Sequence, residues 1–140
     1  MYECKPVSTT LVTNEKLQKV DGAPEADASR YRSLVGSLLY LTATRPDIMY
    51  ATSFLLRFMQ KPSQIHYGTG KRILRYLQGT RELGIWNKTM TKSRMIGYTD
   101  SDWAGSIDDM NSTSGYSLSL GSGFFSLASK KQATVAQSTT

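Results

Sequence analysis

The chain has 140 residues, of which 39% are hydrophobic and 20% charged, with a formal net charge of +6. That is the balance of a globular protein and excludes a disordered polar chain. The lone cysteine, Cys4, excludes an internal disulfide framework, and with the lone histidine, His66, it cannot build a four-ligand structural zinc site.

Charge is unevenly distributed. Residues 1–30 carry net −1, residues 31–95 net +9 and residues 96–140 net −2. A basic middle beside an acidic end has two readings: contact with a polyanion, nucleic acid first among them, or a solvated face that keeps the chain soluble. The amino-terminal residues show no apolar run of the kind a secretory signal needs. Asn87-Lys88-Thr89 and Asn111-Ser112-Thr113 are therefore read as chance matches to the glycosylation pattern.

Residues 1–30 hold Pro6, Pro24 and a Ser/Thr cluster but sustain no hydrophobic period, which predicts an extended linker. Three helices are predicted over 31–78. Leu34, Val35, Leu38 and Leu39 recur at helical spacing in the first. Pro46 suits the first turn of the second, which carries Ile48, Ala51, Phe54, Leu55, Phe58 and Met59 and ends at Pro62. Ser63 suits the cap of the third, with Ile65, Ile73, Leu74 and Leu77 on one side and Gly79-Thr80 closing it. Arg45, Asp47 and Arg57 interrupt the apolar run well short of the ~20 residues a membrane span needs, so a buried helical pair is expected and no membrane.

From residue 83 onward the period changes to two. Leu83–Trp86 reads as a short strand, and Ile96, Tyr98 and Asp100 alternate with Gly97 and Thr99. Tyr116, Leu118 and Leu120 alternate with serines. Gly121-Ser122-Gly123 then turns the chain into Phe124–Leu127, a β-hairpin. The tail Gln137–Thr140 reads as a helix cap.

Gly68-Thr69-Gly70-Lys71 does not make a phosphate loop. Ile65 stands where the first glycine belongs, Arg72 stands where Ser or Thr belongs, and no strand precedes it. Two glycines inside a helix instead cost about 1 kcal/mol each relative to alanine. With one histidine and no Gly-x-Ser-x-Gly, no serine triad is expected, and His66 reads as a surface or helix-packing residue. Asp100 ends an otherwise apolar strand, with Asp102 two positions on. Spacing alone leaves two readings: a carboxylate for Mg²⁺, or a turn aspartate satisfying local N–H groups, as Asp108-Asp109 are.

Several segments together resemble the Pol polyprotein of copia-type retrotransposons. Tyr31–Leu41 with Thr44-Arg45-Pro46-Asp47-Ile48 resembles the end of its reverse transcriptase, as does His66 with Lys71–Leu77 and Gly79-Thr80. Cys4–Thr9 is similar to the segment joining these to the polymerase core. Gly97–Gly105, Ser112–Tyr116 and Ser129-Lys130-Lys131-Gln132 resemble the opening of its ribonuclease H domain. The series covers nearly the whole chain in family order.

The resemblance implies an α+β chain in three parts. These are a linker over 1–30, a helical thumb or connection region over 31–95, and the first three strands of an incomplete ribonuclease H-like fold over 96–140. It implies a parent enzyme that cleaves RNA in RNA–DNA hybrids with Mg²⁺. Asp100 is its catalytic and metal-binding residue here, while Asp102 does not occupy a ligand position. It implies phosphate contacts from Arg45, Lys71, Arg72 and Arg75, and from Lys130 and Lys131. The implied partners are an RNA–DNA hybrid or other nucleic acid and the remainder of the polyprotein. The implied setting is intracellular, in a cytoplasmic particle or the nucleus.

The family's other metal-binding carboxylates lie beyond Thr140, and no Tyr-x-Asp-Asp occurs. This chain alone is therefore expected to be inactive as nuclease and polymerase. A non-catalytic nucleic-acid-binding remnant and an inert degenerate copy are the alternatives. Met110-Asn111, Leu127, Gly68 and Gly70 depart from the family pattern.

Overall fold

The computed structural model describes residues 4–13, 16–86, 88–89, 92, 94–102 and 104–135. The chain divides into two compact units, Met1–Gly84 and Ile85–Thr140. This division lies about ten residues ahead of the boundary at 95 that the resemblance implies.

The first unit holds three α-helices: α1 (Ala28–Leu41), α2 (Met49–Leu56) and α3 (Gln64–Gly79), with a 3₁₀ turn (Pro46–Ile48) leading into α2. Helix α1 starts where Asp27 Oδ1 accepts the N–H groups of Ser29 and Arg30, two donors that the first turn otherwise leaves unpaired. It buries Tyr31, Val35 and Leu38, one face at helical spacing. Proline opens the second helical segment as expected. The α-helix ends at Leu56, however, and residues 57–61 are turns and bends rather than the expected last turn before Pro62.

Helix α3 begins with a reciprocal cap. The Ser63 hydroxyl accepts the His66 N–H, and His66 Nδ1 accepts the Ser63 N–H at 2.9 Å. Its inner face is His66, Thr69, Gly70 and Ile73. Ile48, Ala51, Leu55, Phe58 and Ile73 meet the inner face of α1 in one core. Each of its fully buried large side chains contributes about 1.5–3 kcal/mol. Tyr31 is wholly buried, and its hydroxyl donates to the Leu55 carbonyl at 2.8 Å. Burial pushes its pKa well above the usual tyrosine range.

Residues 1–30 are not a separate linker. Leu17 is buried in this core, and α1 already begins at Ala28. Gln64 N–H donates to the Pro24 carbonyl and Ala26 N–H to the Pro62 carbonyl, each at 2.9 Å. The segment lacks periodicity because tertiary contacts, not its own helix or strand, order it.

The second unit is an antiparallel sheet in the order β1-β2-β3: β1 (Met95–Ser101), β2 (Thr113–Leu120) and β3 (Gly123–Lys131). The predicted hairpin and its preceding strand are present. Gly121 takes a φ of +62° at the turn, a conformation glycine adopts without steric cost. A register shift between Leu118 and Ser119 leaves one extra residue in β3. The strand expected over Leu83–Trp86 is absent. These four residues are apolar but have no ladder to join, and Trp86 is 77% exposed. The helix cap expected over Gln137–Thr140 lies outside the described residues. Among the described residues, no helix is long and apolar enough to cross a membrane.

Candidate functional site

Asp100 lies near the carboxyl end of β1, in register with Gly115 of β2. Successive strand side chains point to opposite faces. One face therefore carries Ile96, Tyr98 and Asp100 of β1 with Ser117 of β2 and Leu127 and Ser129 of β3. Gly115 leaves Asp100 without a cross-strand side chain, so its carboxylate stands open to solvent.

The neighbouring carboxylates are committed elsewhere. Asp102 closes the loop after β1: its Oδ1 accepts the Thr113 N–H, and its own N–H donates to the Thr113 carbonyl at 3.0 Å. A Cβ at Gly105 would run into the Asp102 carboxylate, so a larger residue there would displace that side chain from its bond to Thr113. Asp109 accepts the Lys131 ammonium. That bond first, then one from the Ser106 hydroxyl, holds its pKa down at about 2. Among the described residues, no three Asp, Glu, His or Cys side chains gather into a group that could hold a metal ion. Asp100 alone does not furnish the several carboxylates that two-metal phosphodiester chemistry uses.

The basic residues read from the sequence take distinct places. Arg45 forms a clamp. Its Nε and Nη2 donate to the two Asp47 oxygens at 2.9 and 2.7 Å, and its Nη1 and Nη2 reach the Thr80 carbonyl and hydroxyl at 3.0 and 2.7 Å. Tyr76 Oη donates to Asp47 Oδ2 at 2.8 Å. These bonds raise the Arg45 pKa and lower that of Asp47, and Asp47 raises that of Tyr76. The Arg45 side chain is only 12% exposed.

On α3, Arg72 Nη2 donates to Thr9 Oγ1 at 2.9 Å and Arg75 Nε to the Lys5 carbonyl at 2.7 Å. Both arginines thus hold the amino-terminal segment against the helix. Lys71 is exposed, with its ammonium 4.5 Å from the Tyr67 ring centroid. In the sheet, Lys131 is paired with Asp109 on the Asp100 face. Lys130 is exposed on the other face, in register with Ser114. Asp100 and Lys130, named together from the sequence, therefore project from opposite faces.

The sequence reading did not anticipate a second polar group around His66. The imidazole is fully buried and stacked on Phe58 with centroids 3.9 Å apart. Because Nδ1 accepts from Ser63, Nε2 carries the proton and donates to the Gln18 carbonyl at 3.0 Å. The Ser63 hydroxyl donates to Asp21 and thereby lowers the Asp21 pKa. Serine, histidine and aspartate meet here, but both ring nitrogens are bonded to backbone and neither faces the serine hydroxyl as a base would. The group fastens the helix start. The pattern Ser63-x-x-His66, a capping box with histidine in the usual Glu/Gln place, was its sequence signal.

No protein-family model matches the chain, and no solved structure matches it. Over all 140 of its residues the chain is 44% identical to the retrovirus-related Pol polyprotein from transposon RE2 of Arabidopsis thaliana. It is 40% identical, over its full length, to the corresponding polyprotein from transposon TNT 1-94 of Nicotiana tabacum. The chain spans about a tenth of the length of these relatives (10% and 11%). Secreted RxLR effector protein 161 of Plasmopara viticola is 43% identical over 111 residues, which is 79% of this chain and 78% of that protein. Similarity of this extent, running unbroken through the helical unit and the sheet, places the chain in the family of retrovirus-related Pol polyproteins of copia-type transposons.

Proposed function

We propose that the chain is a nucleic-acid-handling piece of a retrotransposon Pol polyprotein. The helical unit is the thumb or connection region of the reverse transcriptase. The sheet is the opening of a ribonuclease H-like domain. The observation that carries this reading is the meander β1-β2-β3 with the open carboxylate of Asp100 near the end of its first strand. In the parent enzyme, Asp100 contributes one carboxylate to a Mg²⁺ site for cleaving RNA in an RNA–DNA hybrid. The described residues offer no further unengaged carboxylate beside it, so this chain alone does not turn over. It acts in an intracellular particle or the nucleus.

The test is incubation of the purified chain with a labelled RNA–DNA hybrid and Mg²⁺. Salt-sensitive binding without cleavage is expected. Cleavage abolished by Asp100→Asn overturns the inactivity, and failure to bind hybrid overturns the nucleic-acid reading. A second reading, a binding remnant with no chemistry in any context, is favoured by the commitment of Asp102 and Asp109 to the loop. Asp100→Asn in a full-length polyprotein separates the two, since only a metal ligand there abolishes hybrid cleavage.

A further inference from the structure

The single histidine of the chain is fully buried where two parts of the helical unit are fastened together. Segment 17–26 lies against the start of α3. Ala26 N–H donates to the Pro62 carbonyl, the Pro24 carbonyl accepts from Gln64, and Asp21 accepts the Ser63 hydroxyl. His66 joins both sides. Its Nε2 donates to the Gln18 carbonyl of the segment, and its Nδ1 accepts the Ser63 N–H at the helix cap.

This arrangement admits only the neutral ring. A second proton, on Nδ1, would face the Ser63 N–H donor against donor, and a ring with no exposed surface cannot donate to solvent instead. Phe58, stacked on the imidazole at 3.9 Å, offers no acceptor. His66 also stands in the first turn of α3, where the helix dipole disfavours positive charge and no acidic side chain offsets it. Asp21 works the other way: its Oδ2 is 3.7 Å from Nε2 and favours an imidazolium. It lies beside Nε2, however, and leaves the conflict at Nδ1 unrelieved. The other charges around the joint are Lys19, Glu25 and Lys61, which line a pocket with Asp21 and Ser63, and Arg57 of the α2 end, whose guanidinium lies over the Phe54 ring. Glu25 and Lys61 pair with each other at 2.9 Å.

We propose that His66 is an acid-operated latch: a second proton on its imidazole uncaps α3 and releases segment 17–26 from the helix start. An imidazole freed from the cap titrates at about pH 6.5. Only the open form takes up the proton, so falling pH draws the equilibrium toward it, about tenfold per pH unit below that value. Asp21, Asp47 and Asp109 are all held below the usual carboxylate range, so none of them discharges in this window.

The test is amide hydrogen exchange of the full chain by NMR between about pH 7.5 and pH 5, read as protection factors with the intrinsic pH dependence divided out. Protection at Ala26 and Gln64 falls by about thirtyfold across the range while the helical circular dichroism holds. His66→Gln keeps an acceptor for the Ser63 N–H, the usual capping-box residue, and flattens the response. Asp21→Asn leaves the response in place. The imidazole resonances of the unmodified chain give a check that needs no variant. A His66 ring that gains its proton while Ala26 and Gln64 stay protected overturns the latch, and so does protection that is flat throughout. A response that survives His66→Gln but is lost in Asp21→Asn assigns it to the carboxylate instead. Cooperative loss of helix over the same range overturns a local release in favour of unfolding of the whole unit.

Discussion

Gly70 of α3 and Leu34 of α1 are in such close apposition that a Cβ at residue 70 would stand 2.7 Å from Leu34 Cδ2, with Leu55 Cδ1 at 3.7 Å. The glycine is the gap into which the neighbouring helix packs. Gly68, two residues earlier in the same helix, has nothing within 4 Å of its missing Cβ. Helix propensity favours alanine at both by about 1 kcal/mol. Gly68→Ala should realise that gain. Gly70→Ala should lose it to overpacking that costs about 1–3 kcal/mol, for a net loss near 1 kcal/mol. Denaturant midpoints of the two variants check the difference. A Leu34→Val/Gly70→Ala double variant more stable than the sum of the single changes would tie the loss to this contact.

Much of this was legible in advance, and the exceptions share a cause. The strands showed themselves because Tyr116, Leu118 and Leu120 alternate with serine across the turn at Gly121-Ser122. Helix α3 showed itself through Ser63 and its apolar side. The amino-terminal segment did not, because Leu17 joins a core that the helices build, and Thr9 and the Lys5 carbonyl are held by Arg72 and Arg75, more than sixty positions away. For the same reason Arg45, Arg72 and Arg75 read as a basic patch, although their guanidinium groups hold the fold together. A positive charge in a sequence does not disclose which acceptor lies within reach.

The clamp of Arg45 on Asp47 predicts a pH dependence. Its hydrogen bonds hold the Asp47 carboxyl below the usual range, so the folded pKa lies below the unfolded one. The stabilisation is then complete above about pH 4 and lost as pH falls through the folded value. Asp47→Asn should lower the stability of the helical unit at neutral pH by about 1–2 kcal/mol and flatten its acid limb. Arg45→Lys should also destabilise it, since one ammonium cannot bond both Asp47 oxygens and Thr80 together. Urea titrations between neutral and acid pH read both effects.

In the sheet, Asp109 titrates at about 2 in the presence of Lys131 and Ser106. Its folded pKa is again the depressed one, so the loop between β1 and β2 keeps this support above about pH 4 and loses it as pH falls toward 2. Carboxyl resonances followed by NMR should place its midpoint there. Lys131→Gln should move the midpoint upward, while Lys130→Gln should leave it unchanged because Lys130 lies on the other face. Equal shifts from both substitutions would contradict the facial separation of the two lysines.

Strand β1 predicts the solution behaviour of the second unit. All seven of its residues are exposed, and among the described residues it pairs with β2 alone, which leaves one edge of backbone donors and acceptors open. Of the devices that blunt an edge it has one charge, Asp100 near its end, and no proline, lysine or bulge within Met95–Ser101. Tyr98, 60% exposed at its centre, adds apolar surface. Such an edge pairs with another like it, so the chain should self-associate in proportion to concentration. Tyr98→Lys puts a charge at the centre of any β1–β1 pairing, where two copies would meet like charge with like. Light scattering should show the associated fraction fall in that variant while circular dichroism stays unchanged. Association that persists undiminished in Tyr98→Lys would shift the cause to another surface of the chain.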